Sequence, residues 1–289
     1  MEFRSSIDSL VRQRYSCRSY SSKPIGKETL RTLSRFFAEH RTGPFGGEAR
    51  FELLAMTEED HEILRGLGTY GFIKGATGYV VGAMKRGAHD LEEYGYLLEQ
   101  GLLLCTDLGL GSCWLGGSLT KSRFAERIRL GQGEIMPAVA SVGYIKEGTR
   151  EKDGIRRRAG SDRRLPASEL FFDGGFGVPL HAAEAGAYAG VLEMVRLAPS
   201  ASNRQPWRIV RGDGAWHLYL QRTKGYGKGT LLFTVLGLAD LQRVDMGIAM
   251  CHFELGAREM GVQGGWIVQE PEIAKPGEGV EYTATWQSP

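Results

Sequence analysis

Two long apolar stretches of this chain repeat one another. Residues 94–117, YGYLLEQGLLLCTDLGLGSCWLGG, and residues 246–269, MGIAMCHFELGAREMGVQGGWIVQ, align without gaps at a constant separation of 152 residues (247 less 95). Gly95 meets Gly247, Leu103 meets Leu255, Gly109 meets Gly261 and Trp114 meets Trp266; Leu115 and Ile267 match in character. Each stretch reads as a helix stopped by a glycine and followed by a short strand carrying the Trp. A helix that is apolar on most sides has to be buried, as it would be at a domain or subunit interface. The segments ahead correspond as well. Residues 28–37 and 187–197 read as amphipathic helices, each followed by a Gly/Pro-rich turn and an extended run, Phe51-Glu52-Leu53-Leu54 or Trp207-Arg208-Ile209-Val210. A chain of 289 residues has room for two domains of roughly 145, and the repetition points to halves at 1–165 and 166–289. The basic stretch 148–165 marks the boundary and is expected to be a solvated loop.

Composition bounds the partners. Hydrophobic content of 42%, charge of 24% and a net charge of +2 are those of an ordinary globular protein and give no reason to expect nucleic acid or a membrane surface. The longest apolar runs fall well short of the roughly 18 residues a membrane span needs, and the N-terminal stretch has no apolar signal core. Cys17, Cys105, Cys113 and Cys251 form no CxxC pair, which implies buried reduced thiols and a cytoplasmic setting. His61, His89, His181, His217 and His252 lack ligand partners at metal spacing, so no metal site is expected.

The most specific segment is Ala198-Pro199-Ser200-Ala201-Ser202-Asn203-Arg204-Gln205-Pro206-Trp207. Pro and Ser stop a helix, and Asn tolerates unusual backbone angles while its amide can bridge ligand oxygens. The segment resembles the APSxxNxQPW turn of the FMN-dependent nitroreductase family. That turn usually lies near residue 40, and in a dimer it reaches the partner's flavin; here it lies near residue 200. Residues 14–20, Arg-Tyr-Ser-Cys-Arg-Ser-Tyr, resemble the family's RxSxR[SA][FY] segment. The resemblance implies that Arg14, Tyr15, Ser16 and Arg18 meet phosphate, ribityl and pyrimidine oxygens, a task suited to guanidinium groups. Residues 109–117 resemble the GLGSxWxG stretch, which implies that Leu115, Gly116 and Gly117 pass close to the flavin ring. The G-x-G in it is no dinucleotide fingerprint, since these glycines end a helix. Asp162-Arg163-Arg164 resembles the closing basic segment that reaches the phosphate; Arg164 matches best, and Arg163 is its expected companion. Pro199, Ser200, Ala201, Asn203 and Gln205 would cap the flavin from the other half.

The pieces are complementary. The first half lacks the APSxxN pattern at residues 39–47; the second has no RxSxR equivalent and no closing basic segment. The resemblance therefore implies a single-chain branch of the family: an α+β fold of two related halves, mostly antiparallel sheets packed on long central helices, acting as a monomeric pseudo-dimer. It also implies one FMN per chain, NAD(P)H as transient reductant and a ping-pong cycle delivering electrons to nitroaromatics or quinones. No single indispensable general acid is expected. The rival expectation is a flavin- or tetrapyrrole-binding module, or a flavin-consuming enzyme, on the same fold. Lys74 could approach the flavin, and the glycine-rich run 225–230 reads as a turn near the substrate mouth.

Overall fold

Two sheets of matching strand order flank a pair of long buried helices. The computed structural model describes residues 3–57, 60, 62–117, 121–226 and 239–288. In chain order the first half contains α1 (Ile7–Gln13), α2 (Lys27–Glu39), β1 (Ala49–Ala55), β2 (Gly78–Lys85), α3 (Asp90–Asp107), β3 (Gly111–Leu115), α4 (Lys121–Arg127), β4 (Glu134–Ile135) and β5 (Val139–Gly143). There follow α5 (Gly154–Arg158), α6 (Ala167–Leu170), β6 (Phe171–Asp173), α7 (Tyr188–Leu197), a 3-10 turn (Ala201–Asn203), β7 (Trp207–Gly212), β8 (Ala215–Gln221), α8 (Leu241–Glu259), β9 (Gly265–Ile267) and β10 (Val280–Gln287).

The first sheet runs β1-β2-β5-β3, with β4 beside β2; the second runs β7-β8-β10-β9, with β6 added outside β7. Strand for strand the two orders correspond. All pairs are antiparallel except β6 with β7. Strand β6 lies just past the expected boundary and pairs with the second sheet.

The repeated helices α3 and α8 pack on each other, and the repeated glycines make this possible. A Cβ on Gly95 would lie 2.1 Å from the Val244 carbonyl oxygen, and one on Gly247 would lie 1.8 Å from that of Glu92. Val244 and Glu92 are themselves 152 residues apart, so the crossing is closely twofold in character. Both helices end alike. Gly109 and Gly261 take positive φ (77° and 71°), and Leu110 N–H and Val262 N–H return to the Cys105 and Ala257 carbonyls at 2.8 and 2.9 Å. This is the Schellman arrangement that a helix-stopping glycine permits. Among the described residues no helix is long and apolar enough to cross a membrane, and all four cysteines are free and buried.

Most basic side chains of the stretch 148–165 are exposed, as their charge suggested, but the stretch is not all loop and Arg156 departs from the rest. Asp153 caps α5 by accepting from Ile155 N–H and Arg156 N–H at 2.9 and 3.0 Å. The helix turns Arg156 inward, where it is buried. Charge density alone does not reveal this, because the inward turn depends on a cap and on an aromatic neighbour outside the stretch.

Candidate functional site

A cavity of about 350 Å³ lies in the seam between the halves. Its first-half wall comes from the extended segment after α1, from the end of β3 and from α5; its second-half wall comes from the turn 199–202 and the start of α8. Arg14 follows α1, and the chain then runs beside β3: Cys17 N–H donates to the Ser112 carbonyl at 2.8 Å. This places Ser16 and Arg18 at the cavity. Arg18 donates to Asp153 at 2.9 Å, tying the segment to the cap of α5.

Leu115, Gly116 and Gly117 line the same cavity. Gly116 stands at a close approach, for a Cβ there would lie 2.4 Å from Leu241 Cδ1. Trp114 also faces the cavity, and its indole N–H is fixed by Glu99 at 2.7 Å. From the second half come Pro199, Ser200 and Ala201. Ser202, Asn203 and Gln205 all have positive φ, at 51°, 55° and 49°, a conformation that costs of order 1 kcal/mol or more for each. The turn is held there from several directions. Ser200 Oγ accepts from Gln205 N–H at 2.8 Å, and Asp245 accepts from Ala201 N–H at 2.9 Å.

Asn203 and Gln205 do not line the cavity; they latch the two halves together. Asn203 donates to the Gly160 and Arg163 carbonyls at 2.8 and 2.9 Å and accepts from Arg164 at 3.0 Å. Gln205 accepts from Leu165 N–H at 2.8 Å. In this arrangement Arg163 meets the turn through its backbone carbonyl.

Beside the cavity lies a buried cationic nest. Tyr15 carries Arg150 and Arg156 over its ring at 4.5 and 5.4 Å. Arg14 is buried, and its Nη1 has no partner. Its nearest carboxylate is Glu99, 3.7 Å from Nε, beyond hydrogen-bond reach. Burial, then the neighbouring Arg156 and Arg150, drive its guanidinium below the usual arginine range against the pull of Glu99. Arg164 has a buried Nε without a partner; burial, Arg14 and Arg156 bring it down to about 10. Asp162, on which Arg156 closes, is the other acid at this cluster. Crowded guanidinium groups with orphaned buried donors are costly unless an anion joins them. The charge and donor set fit the doubly charged phosphate of FMN.

Sequence reading missed three features here. Asp245 is the most informative. It is buried against the turn, and burial lifts its carboxyl well above the ordinary value. It aligns with Glu93 at the same spacing of 152, and Glu93 accepts from Phe45 N–H and Gly47 N–H in the first half's own turn at 2.8 and 3.0 Å. The matched acids stand one residue ahead of the repeated stretches, where the same spacing extends to them; their shared task is not written in that spacing. His252 is the second. It does have a carboxylate partner: its Nε2 lies 3.1 Å from Glu99, and its Nδ1 lies 3.0 Å from the Met194 carbonyl. Local spacing cannot reveal a partner 153 residues away. Phe72 and Tyr226 complete the rim. Lys74 pairs by backbone with the 18–20 segment. His61 and residues 227–230 of the glycine-rich run lie outside the described residues.

Comparisons with known proteins bear on the family and the fold. A family model described as "Putative TM nitroreductase" matches residues 6–257. The chain resembles the crystal structure of a putative nitroreductase from Thermotoga maritima MSB8, with 18% identity, 99% of this chain and 95% of that one covered, and a TM-score of 0.61. It is also similar to a nitroreductase family protein of Clostridium difficile 630 (19% identity, 58% and 96% covered, TM-score 0.41). A third is a putative nitroreductase of Desulfovibrio desulfuricans in complex with FMN (20% identity, 50% and 88% covered, TM-score 0.39). No curated protein matches the chain.

Proposed function

The chain belongs to the family described as "Putative TM nitroreductase", and from that premise we propose that it binds one FMN in the seam cavity and passes electrons from NADH or NADPH to flat electrophiles such as nitroaromatics or quinones. The observation that carries the proposal is the cluster of Arg14, Arg156 and Arg164, in which Arg14 Nη1 and Arg164 Nε are buried without partners and call for an anion beside a cavity walled by the turn and by glycine backbone.

Each residue then has a task. Arg14, Arg156 and Arg164 hold the phosphate, with Tyr15 as the platform that orients Arg156 and Arg150. Ser16 offers its hydroxyl to the ribityl chain. Arg18 and the backbone N–H groups at Leu115–Gly116 face the polar edges of the ring and favour charge developing there. Phe72, Trp114, Leu241, Val244 and Ile248 exclude water from its faces. When bound, FMN would supply the two-electron hydride chemistry, and these residues would hold and orient it. The halves 1–165 and 166–289 act as a fused pair, so one chain makes the composite site without a second copy.

An absorbance spectrum of the purified protein tests the first step: the yellow two-band signature of oxidised flavin is expected, at one flavin per monomer by sedimentation and absorbance together. Arg14→Ala with Arg164→Ala should give folded, colourless protein; full flavin occupancy in that variant would overturn the phosphate assignment. Anaerobic NADPH should bleach the flavin and a quinone should restore it. Persistent colour would favour a binding module without turnover.

A further inference from the structure

Immediately outside the seam cavity is a second concavity of about 630 Å³, which shares Phe72, Ile155, Ala159 and Ser202 with it. Its other walls are Tyr70, Gly71, Arg158 and Arg204. Not one lining residue is acidic. Neither Arg158 nor Arg204 has a carboxylate partner among the described residues, and both are exposed. Arg204 instead rests over the Tyr226 ring at 5.5 Å, which fixes its guanidinium at the rim. Opposite stand two of the most exposed aromatic rings of the described structure, Tyr70 at 71% and Phe72 at 41%. They are presented by a built turn. Tyr70 and Gly71 take φ of 47° and 77°, while Phe72 N–H and Ile73 N–H donate to the carbonyl and hydroxyl of buried Thr69 at 2.9 and 3.2 Å.

We propose that this vestibule is a recognition site for ligands that carry an anionic group on a flat aromatic body: Tyr70 and Phe72 flank the ring, and Arg158 and Arg204 take the charge. The inference deepens the reading above by naming the substrate class at the mouth of that site, and it rests on that reading only for what happens to the ligand afterwards. Exposed rings and guanidinium groups are a recurrent platform for such ligands, since the ring gains from burial and the planar fork pairs with carboxylate or phosphate. Two sources share this chemistry. One is an electron acceptor bearing a carboxylate; the other is the phosphate-bearing dinucleotide reductant. The buried nest of Arg14, Arg156 and Arg164 is separate from this rim, so the two anion sites are separable by substitution.

The test is equilibrium binding by titration calorimetry on the oxidised, full-length protein, with no turnover required. 4-Nitrobenzoate and its neutral counterpart 4-nitrobenzyl alcohol form one arm; 2′-phospho-ADP-ribose and adenosine form the other. Wild type is expected to bind the anionic member of at least one pair about tenfold more tightly, the value of one charge-assisted contact. The preference should shrink as salt rises. Arg158→Ala with Arg204→Ala should abolish the preference while flavin content and melting temperature stay as in wild type; Tyr70→Ala should weaken both members of the pair equally. The arm that responds identifies acceptor, reductant or both. Absence of a preference in wild type, or its survival in the double variant, overturns the proposal. A colourless wild-type protein would instead defeat the flavin reading while leaving this measurement intact.

Discussion

Replacing Arg14 by Met should make the flavin-free protein more stable and its flavin affinity weaker at once. The sign turns on whether Arg14 and Glu99 form a working ion pair. Breaking a buried pair by removing one partner costs about 3–5 kcal/mol, whereas replacing an ill-satisfied buried ion by a well-packed apolar side chain is neutral or stabilising by about 1–4 kcal/mol. Three observations favour the second case. The Nε–Oε1 separation of 3.7 Å is too long for a hydrogen bond. Arg14 Nη1 is buried without a partner. Glu99 keeps Trp114 N–H at 2.7 Å and His252 at 3.1 Å when the guanidinium is gone. Met retains the unbranched stem and fills the space flexibly. A gain of about 1–2 kcal/mol follows, a rise of a few degrees in melting temperature for a chain of this size. Loss of one charge-assisted phosphate contact should weaken FMN by about ten- to a hundredfold. The assay is thermal denaturation of deflavinated wild type and variant across an FMN series, since a ligand bound only to the folded state raises its stability with concentration. A flavin-free variant that melts several degrees lower, with an unchanged FMN-induced shift, would make Arg14 a structural partner of Glu99 and refute the reasoning.

Three further outcomes are expected. Gly247→Ala forces a methyl to within 1.8 Å of the Glu92 carbonyl oxygen and 2.8 Å of Tyr96 N; both are backbone, so α3 and α8 must part, at a cost of about 3 kcal/mol in a denaturant titration, and an unchanged midpoint would reject the crossing. Asp245 is pushed up by burial, so the native state holds a proton that the unfolded chain releases above the ordinary value of 3.8, and native stability falls as pH rises beyond that point. Asp245→Asn should flatten this decline above the ordinary carboxyl value and raise stability toward neutral pH; a slope identical to wild type would show that the carboxyl is ionised in place. Asn203→Ala strips the Gly160 and Arg163 carbonyls of their donor and Arg164 of an acceptor. It should cost about 1–3 kcal/mol and open residues 150–165 to limited proteolysis, a pattern that equal protease resistance would contradict.

What the sequence disclosed was mainly periodic or local. The repeat gave α3 and α8, their glycine stops and the Trp-bearing strands, because a buried helix, its Schellman end and the next strand are written in consecutive residues. The turn at 199–203 was legible for the same reason. The electrostatics of the site were not, since they depend on pairs far apart in the chain: Arg14 with Glu99, Glu99 with His252, Arg164 with Asn203. Asn203 and Gln205 illustrate the limit from the other side. Their residue types suggested ligand contacts, yet the backbone groups they satisfy belong to the protein's own segment 160–165. A polar side chain in a motif gives a donor and an acceptor without naming the recipient.

The two sides of the twofold crossing offer a ligand different walls. Two identical subunits must present the same residue on both sides of a crossing, so a wall that suits a flat ligand appears twice. A single chain is free of that constraint. At the described cavity the wall position is Val244, an apolar surface. Its counterpart is Glu92, which Arg243 binds at 2.6 Å while also reaching Asp90 at 3.4 Å. Ile248, also at the cavity, has Tyr96 as its counterpart, whose hydroxyl donates to Glu254 at 2.7 Å. Glu93 draws the first turn onto itself, so tightly that a Cβ on Gly47 would lie 1.8 Å from its carboxylate. Apolar wall, open turn and orphaned guanidinium groups thus coincide on one side of the twofold crossing. On the other side ion pairs and hydrogen bonds occupy the positions that correspond to Val244 and Ile248, so a flat, anionic ligand placed there would have to strip Arg243 from Glu92.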